Sequence, residues 1–201
     1  MPKILIIYFV SVLVTGLIFG GATLRAGTKR RPLIILLVAV LCVHLALFLL
    51  RASNWIISDI TVMLTAMLAG SLIGSSLNSR SDIIAFCVAA ALADVVSFSG
   101  GLTSKIIAEY GQGQSQLLAY LSITVPLDGG ITPIIGIGDA IILSGIFTAL
   151  RRMGHIGIGA FLYPLIGLLA ALTVGLVVGG IFALPFIGAA TILYLWISYR
   201  T

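Results

Sequence analysis

Two aspartates in apolar surroundings are the residues of this chain best placed to do chemistry. Asp139 closes the run Gly136-Ile137-Gly138-Asp139 inside an apolar stretch from Ile131 to Leu150, and Asp94 lies comparably deep in the stretch before it. Holding an ionised carboxylate in lipid costs at least ~2.5–3.5 kcal/mol, so an acid inside a membrane segment points first to function. Gly136 and Gly138 leave one flank of Asp139 without side chains, which lets another backbone approach closely. Two carboxylates held side by side cannot both stay ionised, so such a pair shares a proton. The ionised member can take a proton from water while the protonated one donates a hydrogen bond to a peptide carbonyl. That is aspartyl peptide-bond hydrolysis, and it needs neither metal nor cofactor.

The elements that must position these acids are membrane helices. The chain has 201 residues, 60% of them hydrophobic and only 8% charged, and its mean hydropathy is +1.25. Crossing the ~30 Å hydrocarbon core takes ~20 apolar residues of helix. The expected architecture is therefore an all-α, polytopic helical bundle in the bilayer, one domain over residues 1–201. Seven spans are expected, at 4–24, 32–50, 58–77, 83–99, 131–150, 155–178 and 180–198. The net charge of +5 could suggest nucleic acid, but the basic residues cluster in short loops between apolar runs. That is the positive-inside pattern, and it argues against a nucleic-acid partner.

Counting Lys and Arg by side gives three (Lys3, Arg51, Lys105) on the face holding the N-terminus and eight (Arg25, Lys29, Arg30, Arg31, Arg80, Arg151, Arg152, Arg200) on the other. The N-terminus is expected outside and the C-terminus in the cytoplasm, in a multi-pass protein of the plasma (inner) membrane. The first span reads as a retained anchor, since the charge after it outweighs Lys3. Composition is silent on oligomeric state.

The depth of the acids follows from their place in these spans. Asp94 lies six residues before Gly100, and Asp139 eight residues after Ile131, both ends facing outward. At helical rise both carboxylates come roughly 9–12 Å from one membrane face. Ala183-Leu184-Pro185 falls near the same level at the outer start of the last span. There Pro185 is expected to free a backbone carbonyl one turn earlier. The connection 100–130 is the only long one. It holds the polar run 111–116 and then an apolar stretch, 117–127, open to three readings: interfacial helix, re-entrant element or extended segment. Ser122-Ile123-Thr124-Val125 favours strand geometry. Pairs of glycines at four-residue spacing (Gly16 and Gly20, Gly70 and Gly74, Gly175 and Gly179) suit close helix packing in lipid.

Other candidates are weaker. His44 and Cys42 fall on different helix faces, so His44 reads as a satisfied buried histidine, and His155 beside Arg151 and Arg152 as interfacial. Cys42 and Cys87 lie within spans and suggest neither disulfide nor metal. Two histidines without a Cys/acid cluster leave zinc without ligands. Asp59, Asp82 and Glu109 stand at span ends or in loops, where solvent can hydrate them, and read as structural. Gly136-x-Gly138 lacks the βαβ unit of a dinucleotide fingerprint. Asp94 and Asp139 could instead cross-link helices, a task Ser, Thr or Asn performs at lower cost. They could also belong to a transporter or proton relay. A transport path needs further polar residues toward the cytoplasm, where the spans offer mainly Ser144 and Thr148.

The residues resemble the presenilin and signal peptide peptidase family of intramembrane aspartyl proteases. That family carries a GxGD motif on one helix, an Asp on the preceding helix, and a Pro-Ala-Leu motif near the last. Gly136-Ile137-Gly138-Asp139 matches the second of these in full, and the order and spacing of all three agree. The Tyr before the family's first Asp is Ala93 here. The first Pro of its last motif is Phe182, followed by Ala183-Leu184-Pro185 as in presenilin's longer Pro-Ala-Leu-Pro. Prepilin peptidases also carry GxGD, but they usually follow it with Lys, where this chain has Ala140-Ile141-Ile142. The resemblance implies a presenilin-like catalytic four-helix part over 82–201, with residues 1–80 as scaffold. It implies Asp94 and Asp139 as catalytic residues and substrate binding at Gly136, Gly138, Ala183, Leu184 and Pro185. The expected partners are a transmembrane or signal-peptide substrate and the lipid bilayer. The alternatives are a non-proteolytic transporter, proton relay or inactive homologue on the same bundle, or a prepilin-peptidase-like protease.

Overall fold

A computed structural model describes residues 30–49, 55–99, 101, 105–106, 109, 112, 117–127, 130–178 and 183–199. The expected span 4–24, with Gly16 and Gly20, lies outside the described residues, as do residues 113–116 and Gly179. Among the described residues the chain is mostly helical. Its elements are α1 (Arg30–Leu49), α2 (Trp55–Gly74), α3 (Arg80–Phe98), a single turn at Leu117–Tyr120, strands β1 (Ser122–Leu127) and β2 (Gly130–Gly136), α4 (Ile137–Arg152), α5 (Ile158–Val178) and α6 (Leu184–Ile197). Three stretches, Ile56–Gly74, Arg80–Phe98 and Ile158–Gly175, are long and apolar enough to cross a membrane, while Arg31–Ala46 and Leu184–Ile197 are apolar but shorter.

Local chemistry sets several of these boundaries. Ser79 caps α3: its Oγ accepts the Asp82 N–H at 3.1 Å, while Asp82 Oδ2 accepts the Ser79 N–H at 2.9 Å. This reciprocal box satisfies two of the donors that a helix start leaves unpaired. Arg151 and Arg152 end α4, where cations suit the negative end of the helix dipole. Gly154, at φ 84°, then supplies the left-handed residue that turns the chain toward α5.

The strands depart from the expected all-α bundle. The apolar run 131–150 does not form one helix: Gly130–Gly136 is strand and the helix starts at Ile137. Hydropathy alone does not separate a buried strand from a buried helix. Here Ile131, Thr132, Ile134 and Ile135 are β-branched, and Pro133 lacks the N–H that a helix would use and disfavours the helical region for Thr132. β2 pairs antiparallel with β1, Ser122 opposite Gly136 and Thr124 opposite Pro133, with a register shift between Ile123 and Thr124.

The hairpin and the acids rest on a tightly packed pair, α2 and α4. A Cβ on Gly70 would overlap the Ile141 carbonyl oxygen, and one on Gly74 the Gly145 carbonyl oxygen. These two glycines therefore let the backbones meet directly, the contact that replaces hydrophobic drive in lipid. Ser144 Oγ donates to the Met67 carbonyl at 3.2 Å, and Thr148 Oγ1 donates to the Ser144 carbonyl at 2.9 Å and lies 3.4 Å from Ser71 Oγ. The polar groups weighed for a transport path are thus spent on this joint. α6 packs against both α5 and α3, and α1 against α2. Val62, Ile83, Ile146, Leu165 and Ile187 lie fully buried at the centre. Large apolar side chains such as Ile35, Leu92 and Val96 point outward, which suits a surface facing hydrocarbon.

Candidate active site

Asp139 occupies the third position of α4, after Gly136 as N-cap, and its carboxylate accepts the Gly136 N–H. The expectation that helix separates Asp139 from Ile131 is corrected by β2: Asp139 sits in the first helical turn, carried there by a strand. Gly136 is at once the last residue of β2 and the cap of α4, so the hairpin runs straight into the acid. The Ile137 N–H donates to the Leu121 carbonyl at 2.8 Å, which locks the end of β2 to the start of β1. Among the described residues a Cβ on Gly138 would meet no atom within 4 Å, and Gly138 is exposed.

Asp94 stands four residues before the end of α3. The negative end of that helix disfavours a carboxylate, but a second helix offsets this. Asp94 Oδ2 accepts the Leu184 N–H at 3.1 Å, and the Ala183 N–H also points at the carboxylate. These are the unpaired donors at the start of α6, where an anion is favoured by both hydrogen bonding and dipole. Asp94 and Asp139 are close enough for their charges to repel. Asp94 thus ties the end of α3 to the start of α6, and Asp139 with its Gly136 cap lies within reach of its charge.

Two details of the expected site differ in the structure. Pro185 does not break a helix. It falls in the first turn of α6, where its missing N–H has no intrahelical acceptor to lose and its fixed φ suits the helix start. The group offered beside the acids is the Leu184 N–H, a donor, while the carbonyl one turn before Pro185 belongs to residue 181, outside the described residues. The Leu184 side chain is buried in the core, so this residue meets the site through its backbone. Beneath the acids α3 and α6 nearly touch. A Cβ on Gly188 would lie 3.3 Å from that of buried Cys87, and the Thr191 hydroxyl bonds the Cys87 thiol.

Asp59 is the residue that the sequence undervalues. It is buried, and its two oxygens lie 3.0–3.2 Å from the backbone N and hydroxyl of Thr124 in β1. Solvent does not hydrate it. The signal was the spacing of Ser58, Thr61 and Thr65, which marks a polar face of α2 turned inward; all three are buried. His44 lies 2.7 Å from Thr61 Oγ1 and bonds the backbone of Tyr120, so it is satisfied. Phe48 meets the Tyr120 ring edge-on at 5.4 Å. On the opposite side of the bundle His155 lies 3.3 Å from the Tyr194 hydroxyl. Burial and the charge of Arg80 hold the His155 imidazole below its ordinary range. Asp82 serves the cap of α3, and Glu109 is exposed. Among the described residues no group of three or more metal-ligating side chains forms.

Comparison of the chain with family models, with curated proteins and with solved structures gives no match.

Proposed function

We propose that the chain is an intramembrane aspartyl endopeptidase that hydrolyses peptide bonds in single-span helices or signal-peptide remnants. The observation that carries this reading is the meeting of Asp94 and Asp139 at two helix N-termini, with a β-hairpin leading into the second acid. A pair held only for packing has no need of two like charges.

In this reading the proton belongs to the pair and not to either residue. The ionised member takes a proton from water, the water oxygen attacks the scissile carbonyl carbon, and the protonated member hydrogen-bonds the carbonyl oxygen. Collapse of the resulting gem-diol breaks the C–N bond as a proton passes to the nitrogen, leaving a carboxyl and an amine end. The substrate must first unwind, because a helix hides its peptide bonds in its own hydrogen bonds. Its freed N–H and C=O groups then need partners, since each costs several kcal/mol unsatisfied in lipid. β2 offers an edge for pairing as an added strand, and the exposed Gly138 gives the chain room to approach.

The wider reading takes the chain as a seven-span bundle with its N-terminus outside, which puts the hairpin and both acids at the outer face. The test is direct. Purified protein is incubated with synthetic single-span peptides, with and without a hydroxyl-bearing transition-state analogue, and the products are weighed by mass spectrometry. Cleavage blocked by the analogue is expected. Absence of cleavage across a peptide panel, or cleavage indifferent to the analogue, would overturn the proposal.

A further inference from the structure

Asp59 is a carboxylate with no part in the proposed chemistry, yet it is buried and fully engaged. Both oxygens lie 3.0–3.2 Å from the N and Oγ1 of one residue, Thr124, which is 65 positions away in the chain. Thr124 is the first residue after the register shift in β1, and it stands opposite Pro133. Pro133 has no N–H to give, and the Thr124 N–H turns away from β2 toward α2. The sheet is therefore weakest where Asp59 grips it. A two-stranded hairpin is marginal by itself, and a bulge is where pairing most readily slips. Leu121 with Ile137 and Tyr120 with His44 and Phe48 anchor the end nearer Asp139.

We infer that Asp59 is a positioning residue of the cleft: by clamping Thr124 it fixes the register in which an extended substrate lies along the hairpin, and so which peptide bond faces Asp94 and Asp139. The inference rests on the protease reading and extends it to the choice of bond. A slip of one residue moves a strand by about 3.3 Å and turns every side chain to the other face. Such a slip presents the neighbouring peptide bond to the acids.

The contact geometry supplies two contrasting variants. In Asp59→Asn, Oδ1 still accepts the Thr124 N–H while Nδ2 donates to Oγ1, so the clamp survives without charge. Asp59→Ala removes it. Full-length protein is incubated with one single-span peptide and the product ends are mapped by mass spectrometry. Asp59→Asn is expected to cut at the bond used by the unsubstituted chain. Asp59→Ala is expected to send about half or more of its product to bonds one or two residues away. Slower cleavage by Asp59→Ala at an unshifted bond would mean a structural role only and would overturn the inference, as would a shift in Asp59→Asn equal to that of Asp59→Ala. Should Asp59→Ala fail to fold, Thr124→Val keeps the shape and the N–H but removes one of the two donors, and it is expected to show a smaller shift. Amide hydrogen exchange without substrate forms a separate arm: residues 122–127 are expected to exchange at least about tenfold faster in Asp59→Ala than in Asp59→Asn. Equal exchange overturns the clamp whatever the enzyme does. Absence of cleavage by the unsubstituted chain overturns the protease reading and the substrate register with it, while the exchange arm still reports on the clamp.

Discussion

Asp94→Asn and Asp139→Asn separate chemistry from architecture, because an amide keeps the shape of a carboxyl but not its proton traffic. The Leu184 N–H reaches Asp94 Oδ2 at 3.1 Å, and the Asn oxygen can accept the same bond. Hydrogen bonds to a charged acceptor contribute ~1.5–3 kcal/mol and neutral ones ~0.5–1.5 kcal/mol, so the exchange costs about 1 kcal/mol. Removing one of two like charges acts in the opposite direction. The net change in stability is therefore within about 1 kcal/mol, equivalent to ~2–4 °C in Tm for a chain of this size. The expected loss of activity is much larger: an acid–base partner contributes ~10²–10⁴-fold, or ~3–5 kcal/mol of the barrier. The double variant is expected to be no slower than the slower single one, since the two carboxyls act as a unit. Cleavage of a single-span peptide is followed by mass spectrometry beside thermal unfolding of the same preparations. Either single variant retaining more than about a tenth of wild-type turnover would refute the dyad. A Tm collapse that parallels the loss of activity would show that the acids hold the fold.

Three further outcomes follow from the packing and the charges. Gly74→Ala should lower Tm, by ~1–3 kcal/mol of overpacking. Helix propensity alone would raise stability by ~1 kcal/mol, so a higher Tm would refute the direct contact between Gly74 and the Gly145 carbonyl. His155 titrates below its ordinary 6.5 in the fold, so the unfolded chain takes up its proton first and stability falls as pH drops through that value; unfolding scans at several pH values should show a weaker acid dependence in His155→Gln, and identical dependence would refute the assignment. A cysteine in place of Gln112, in a background lacking Cys42 and Cys87, should react with an impermeant maleimide on intact cells, whereas labelling only after lysis would reverse the proposed orientation.

How far the sequence could be read depended on the kind of physical signal. Asp94, Asp139 and Ala183-Leu184 stood out because each is an anomaly against an apolar background, although the helical count that compared their depths fails for Asp139, which a strand carries. The form of the backbone between them was not legible. Ile131–Ile135 is as hydrophobic as a buried helix, and only Pro133 and the β-branched residues favoured a strand. Pro185 could break a helix or begin one, and the difference lies in where Leu184 starts to wind. The expected hydration of Asp59 fails for a different reason. Its position near a span end suggests hydration, while the inward polar face of Ser58, Thr61 and Thr65 signals burial without revealing Thr124 as the partner.

One helix position serves two ends in this chain. In α3 the N-cap is Ser79 and the third residue is Asp82, while in α4 the same places hold Gly136 and Asp139. Asp82 is consumed by its cap. Its Oδ2 accepts the N–H groups of Asn78 and Ser79, both at 2.9 Å, and Ser79 answers with its hydroxyl. Gly136 has no side chain with which to answer, so α4 carries only half of the box. The Gly136 N–H accounts for one of the several acceptor sites of the Asp139 carboxylate. Glycine at the cap thus leaves the third-position acid anchored but unspent. A carboxylate fixed by one backbone donor, beside a second acid fixed by the start of α6, has its orientation set before any substrate arrives. That pre-set geometry is what positioned acid–base chemistry requires.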